Sequence, residues 1–250
     1  MKLLLVGADG NVAPFVGKAL LPDHDLRLLV HRGPSGLDGK DIYGDIRNPD
    51  DVARAMDGVD MVLHFAIARY SRGPDDSELS VAQAQFDVNV KGLYNVVETA
   101  AQCGVKRFIY TSSMTVSQAD QDAVRRDRLM TEEDTVTPKR AYPLTKYLGE
   151  EICRCHADRF PLGVICFRLG NVVPKGDSPL DQTRYYPGWI HGDDVGQAFR
   201  LAIEARDIGF EVFHIIADVP GLKWDNTKAK RLLGFTAQHR FEDLWHKADG

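Results

Sequence analysis

No stretch of the 250 residues approaches the ~20 consecutive apolar positions a membrane-spanning helix needs. The opening "MKLLLVGADG" is likewise too short in apolar length for a secretory signal, so a cytoplasmic location is expected, with no membrane partner. Cysteine is scarce. Cys103, Cys153, Cys155 and Cys166 offer no CxxC pair with a second ligand pair, which argues against a zinc site and for reduced thiols, and the eight histidines are scattered. No metal is expected. Positive charge is not in excess: 31 Lys and Arg stand against 36 Asp and Glu, a net charge of −5, and the basic clusters "RRDR" and "KAKR" are diluted by acids. That balance provides no general attraction for nucleic acid. Repeats, low-complexity tracts and Pro/Ser linkers are also missing. A chain of this length that is 44% hydrophobic can bury one substantial core, so a single α/β domain is expected.

What the sequence does contain is a series of short continuous apolar runs. "KLLLV" at 2–6 stops at Gly7, as a strand buried on both faces should. Similar runs follow at 26–30, 61–66, 107–112, 162–169 and 211–216, separated by segments of helical periodicity. The alternation predicts a doubly wound parallel sheet with helices on both faces. The longest helical candidate spans about 78–103 and carries Val88, Leu93, Val96 and Val97 along one stripe before "CGV" ends it. A second runs from 142 to about 157.

Two places carry chemistry. "GADGNVAPF" follows the first strand, with glycines at 7 and 10. Glycine permits a tight strand-to-helix turn and lets backbone amides approach a pyrophosphate, to which the helix N-terminus adds partial positive charge. Ala13 stands where a third glycine would sit. The other place is "RAYPLTKYLGE", where Tyr142 and Lys146 share one helix face four residues apart. Taken alone the pair also fits a solvated helix face. Context favours a site, because Tyr142 is the one tyrosine among eight with a lysine four residues on, and it comes after a serine-bearing strand end.

Together these residues resemble the extended short-chain dehydrogenase/reductases, the nicotinamide-dependent epimerase/dehydratase proteins. The motifs run through nearly the whole chain: "GADGNVA", "YGDIRNPDDV", "HFA", "DVNVKGLYNVVETA", "FIYTSSMTV", "YPLTK", "FRLGNVVP", "WIHGDDV" and "WDNTKAKRLLGF". The resemblance implies a single NAD(P)-binding Rossmann-like domain over 1–250, with a small C-terminal substrate lobe from about 171–190 and 218–250. It implies a catalytic set of Ser113, Tyr142 and Lys146, with Asn89 either relaying protons to Lys146 through a water or serving a local role in a kinked helix. It places the cofactor on Gly7, Asp9, Gly10, Asn11, Val12, Arg32, Asp45, Ile46, Phe65, Ala66, Ile67, Asn89, Thr111, Tyr142 and Lys146, with Asp45 near the adenine. Ser113, Asn171, Arg69 and Arg184 are the implied substrate contacts, and Arg125, Arg126 and Arg128 are further basic candidates. The two long helices are expected to pair with symmetry mates in a homodimer, as in many relatives.

A tyrosine of pKa ≈ 10 is a poor base at neutral pH, so the chemistry needs the lysine's charge to stabilise tyrosinate. Dehydratases of the family carry an acidic pair after the catalytic serine or threonine. Here "SMTV" follows Ser112, which argues against dehydration. Fifteen residues lie between Val173 and Trp189, too few to cover a nucleotide diphosphate, so a single-ring sugar is expected. "TRYYPGWIHGDDV", "LKWDN" and the chain length most resemble the uronate dehydrogenases, in which an arginine matching Arg184 binds the uronate carboxylate. Sugar epimerase activity, and a cofactor-binding redox sensor without turnover, are the alternatives. After the second strand "LLVHRGP" has no acid for the adenosine ribose and has Arg32 for a 2′-phosphate, which leans towards NADP over NAD. Asp9 in the glycine turn leans the other way.

Overall fold

The computed structural model describes residues 1–68, 77–117, 128–173 and 188–242. The apolar run at the start becomes strand β1, Lys2–Val6, and its leucines divide between two cores. Leu3 and Leu5 face a cluster that includes Val16, Phe167 and Phe199, while Leu4 and Val6 face one that includes Val62, Val96 and Tyr110. All four are fully buried, and each contributes about 1.5–3 kcal/mol of hydrophobic stabilisation. A strand covered on both faces lies in the middle of a sheet, and β1 does.

The other strands of this sheet are β2 (Asp25–Val30), β3 (Lys40–Tyr43), β4 (Met61–His64), β5 (Arg107–Ser113), β6 (Gly163–Leu169) and β9 (Phe210–Ile215). Their order is β3-β2-β1-β4-β5-β6-β9, parallel throughout. This is the doubly wound, Rossmann-like sheet expected. Two strands between β6 and β9, β7 (Asn171–Val173) and β8 (Trp189–His191), pair in parallel apart from it. Helices α1 (Ala13–Leu20) and α6 (Gly192–Glu204) pack on one face of the main sheet. Helices α2 (Pro49–Met56), α4 (Leu93–Gln102) and α5 (Ala141–Arg159) cover the other. The remaining helices are α3 (Glu78–Phe86) and α7 (Thr227–Leu233). After β1 the chain builds outwards through β2 and β3, then crosses back to β4. The switch point therefore lies between the carboxyl ends of β1 and β4, where open parallel sheets bind ligands.

The helical candidate at 78–103 is broken by a π-helical turn, Asp87–Gly92, between α3 and α4. It ends as expected, with Gly104 at a positive φ of 72°. No described helix is long and apolar enough to cross a membrane.

Candidate active site

At the switch point, Gly7 has φ 81°, a region where a side chain is strained. A Cβ there would also lie 2.7 Å from the backbone N and Cα of Ala66, just past β4. At Gly10 a Cβ would lie 3.0 Å from the Gly7 carbonyl oxygen, which accepts the Gly10 amide. No side chain caps the start of α1 at Val12. The cradle thus presents bare backbone under a helix N-terminus, the surface a pyrophosphate needs. Ala8, Ala13 and Phe65 are buried around it, while Asn11 and Ile67 are exposed.

At the end of β2 the Asp9 carboxylate accepts the Arg32 backbone amide at 3.4 Å, so the two residues expected to compete over the adenosine ribose do lie together. The Arg32 side chain is exposed. Asp45 is engaged more fully than the sequence reading anticipated. Its carboxylate accepts from Arg47 Nε at 3.0 Å and from Nη2 at 2.6 Å, and this bonding holds its pKa down at about 2. Arg47 was missed. Its two-residue spacing from the aspartate was the available signal. Ile46 is buried against Gly92, whose missing Cβ leaves the space it fills.

Ser113 ends β5 and Tyr142 opens α5, and the Ser113 hydroxyl hydrogen-bonds the phenol. Thr115 donates to Ser113 Oγ as well, from its amide at 3.2 Å and its hydroxyl at 2.9 Å. Burial pushes the phenol above its ordinary value, and the Ser113 bond partly offsets this. Lys146 is 1% exposed and donates to the Thr111 carbonyl at 2.6 Å. Burial draws its pKa down to about 7, against an opposing pull from Glu150. One face of α5 therefore brings Tyr142 and Lys146 to the carboxyl end of β5, with the ammonium resting on backbone carbonyl. Thr111 Oγ1 is buried without a hydrogen-bond partner among the described residues.

Asn89 sits in the π turn, a distortion often found at functional sites. Its Oδ1 accepts the Ala68 amide at 2.8 Å, and its Nδ2 donates to Thr145 Oγ1 at 3.0 Å. Thr145 Oγ1 in turn donates to the Tyr142 carbonyl at 2.9 Å. Asn89 thus ties the segment after β4 to the first turn of α5.

Beyond Ser113 the wall is apolar. Met114 is buried with Met130, Ile216 and Trp224, and the Trp224 indole donates to Ser117 Oγ at 3.1 Å. The sequence reading did not single out this cluster, because its members are far apart in the chain. The second acid of "WIHGDDV" has a scaffolding consequence. Asp194 accepts the Gln238 and His239 amides at 2.9 and 3.0 Å, tying the late chain to α6, and the His191 and His239 rings stack 3.7 Å apart. Asn171 is exposed on β7, and Arg128 pairs with Asp134. Arg69, Arg125, Arg126 and Arg184 lie outside the described residues, as do most of 171–190 and 243–250.

The buried lysine has a consequence for stability. Its pKa of about 7 is below the ~10.4 of an unfolded lysine, so as pH rises the folded chain loses this proton first. Between those values the unfolded state binds more protons and the folded state gains stability. Urea titrations at about pH 6.5 and 9.5 should show the protein gaining on Lys146→Met at the higher pH; an unchanged difference contradicts a buried, neutralised lysine.

Comparison with known proteins agrees with this geometry. A family model described as the NAD dependent epimerase/dehydratase family matches residues 3–192. An L-arabinose 1-dehydrogenase (NAD(P)(+)) of Haloferax volcanii is 32% identical over 219 residues, covering 82% of this chain and 83% of its own. A uronate dehydrogenase of Pseudomonas syringae pv. tomato is 27% identical over 235 residues, covering 92% and 80%. Among solved structures, a short-chain dehydrogenase/reductase superfamily protein from Agrobacterium tumefaciens with bound NAD superposes with a TM-score of 0.80. It has 21% identity and covers 99% of this chain and 96% of that one, a likeness that speaks for the fold.

Proposed function

We propose that this chain, which belongs to the NAD dependent epimerase/dehydratase family, is an NAD(P)-dependent dehydrogenase that oxidises the anomeric carbon of a single-ring sugar. The observation that carries the reading is the meeting of Ser113, Tyr142 and Lys146 at the carboxyl end of β5. The bare backbone at Gly7 and Gly10 fits a dinucleotide pyrophosphate, and Asp9, Arg32 and the Asp45–Arg47 pair stand where the adenosine end would lie. When bound, the nicotinamide supplies a two-electron acceptor.

The chain's own residues handle the proton. Ser113 Oγ holds the sugar's anomeric hydroxyl, and Tyr142 takes its proton. Since burial alone makes this phenol a weaker acid than usual, the positive charge of Lys146 is what makes tyrosinate accessible. Lys146 also has donors to spare for a cofactor ribose, because an ammonium carries three and one is used on Thr111. The test is a reduction assay at 340 nm over pentoses, hexoses and uronates with both cofactors. Reduction with at least one sugar supports the reading; none with any rejects it.

Two of the relatives are named for a neutral pentose and for a uronate, and Arg184 is the residue proposed to separate these substrates. A guanidinium offers a planar fork that matches a carboxylate. If the substrate is a uronate clamped by Arg184, Arg184→Ala should cost roughly tenfold to a hundredfold in kcat/KM, as the loss of a charge-assisted hydrogen bond does, with a much smaller loss on the matching neutral sugar. Arg184→Lys should recover part of the loss. Equal losses on both sugars, or none on either, show that Arg184 is not a carboxylate clamp and remove the main support for a uronate.

For the cofactor, Arg32→Asp should shift preference towards NAD, because a carboxylate accepts ribose hydroxyls and repels a 2′-phosphate. The ratio of kcat/KM values for NADP and NAD checks this. A protein that already prefers NAD strongly would show that Asp9, and not Arg32, governs the adenosine site.

A further inference from the structure

The inner face of α5 holds a third ionisable residue. Glu150 lies one turn beyond Lys146 on the same face and is 1% exposed. A carboxylate at that depth must be paired to stay ionised. Arg168 of β6 grips it with a fork, Nε to Oε1 at 3.0 Å and Nη2 to Oε2 at 2.8 Å, and Ser112 of β5 donates to Oε1 at 2.5 Å. Arg168 is 4% exposed and lies beside Ser112 and beside His214 of β9 in the strand register. Burying such a pair is costly, and apolar side chains of similar volume commonly stabilise a fold as well or better. Its place here asks for a reason other than stability.

Lys146 provides one. The ammonium meets the Thr111 carbonyl and the Tyr110 ring from β5, the latter at 4.9 Å. It also acts on His64 of β4, and Cys153 of its own helix and Cys166 of β6 act on it. Both thiols are buried, and burial keeps His64 neutral with a pKa of about 3. Glu150 is the largest of the influences that favour the charged lysine, ahead of either cysteine. Glu132 accepts the amide of His214, the β9 neighbour of Arg168, at 2.8 Å and is pushed up by burial, while the Arg168 fork engages Glu150.

We propose that Glu150, clamped by Arg168 and Ser112, is a positioning residue of the catalytic centre: its fixed negative charge one helical turn from Lys146 keeps that lysine an ammonium, and so keeps Tyr142 able to act as a base. The inference rests on the roles given above to Tyr142 and Lys146. Arg168 and Ser112 hold the carboxylate in one orientation.

Glu150→Gln removes the charge and keeps the shape, but leaves Arg168 buried without a counter-ion. Glu150→Gln/Arg168→Met removes both charges and is the variant to rely on for a folded protein. The first readout is the titration of Lys146 in the protein without cofactor, followed by NMR with lysine labelled at 13Cε and the resonance identified by its loss in Lys146→Met. The midpoint should fall by at least one pH unit in the double variant. The second is the pH profile of kcat/KM, whose acid limb should move to higher pH by a similar amount, because a neutral lysine no longer helps Tyr142 ionise. A folded double variant with an unchanged Lys146 midpoint overturns the proposal whatever its turnover, and a lower melting temperature with an unchanged midpoint and profile reduces the pair to scaffolding. A shifted midpoint in a protein that oxidises no sugar upholds the electrostatic link and rejects the proposed activity, so the two failures are separable.

Discussion

Tyr142→Phe is expected to lower kcat by about a hundredfold to ten-thousandfold, the range over which a positioned acid–base group contributes. The substitution removes one oxygen at the start of α5 and leaves the ring to pack as before. Ser113 keeps both Thr115 donors, and the Asn89–Thr145 bridge that sets the first turn does not involve the phenol. Cofactor affinity should therefore stay near that of the unaltered protein, because the phenol works on the sugar's proton. Steady-state kinetics beside a fluorescence titration with the reduced cofactor checks both halves. Retained turnover would remove Tyr142 from the mechanism, and a loss of affinity equal to the loss of rate would make it a binding residue.

Gly7→Ala should produce the largest effect among the residues of the cradle. At φ 81° an L side chain costs about 1–2 kcal/mol, and the new Cβ would press on the Ala66 backbone at 2.7 Å, which no rotamer change relieves. A loss of about 1–3 kcal/mol corresponds to a fall in Tm of roughly 2–12 °C for a domain of this size. Cofactor affinity should drop more than tenfold even below the new Tm, since the strand end and the cradle must separate. Thermal melts with and without cofactor measure both effects. An alanine variant with unchanged Tm and affinity would show that the turn is only a turn.

The sheet was legible where strands are buried on both faces, because such strands are written as unbroken apolar runs. The edge strand β3 carries no such run, since "KDIY" is half exposed and holds a lysine and an aspartate, and only the resemblance around Asp45 pointed to it. The three-residue strands β7 and β8 are too short for any period to register. The π turn inside 78–103 was hidden because one extra residue per turn only shifts a stripe, and Val88 and Leu93 remain on the core side of it. In the site, Tyr142 and Lys146 were readable from their spacing, and Gly7 from its place after a strand. Glu150 was not, because an acid on a helix normally faces water and its partner Arg168 is 18 residues away on another element. Sequence spacing supported the idea that Lys146 acts on the phenol. The fold adds that the lysine donates to the Thr111 carbonyl and that burial draws its pKa down against an opposing pull from Glu150.

The most direct measurement of the central claim uses a sugar deuterated at C1. The protein is incubated with the best substrate of the 340 nm screen and its oxidised cofactor, and both products are examined by NMR and mass spectrometry. Oxidation at the anomeric carbon places one deuterium on each reduced cofactor, with one lactone or aldonic acid formed for each. Deuterium that stays at C1, whether with the cofactor unreduced and the sugar epimerised or with the label-free cofactor reduced from another carbon, contradicts the account.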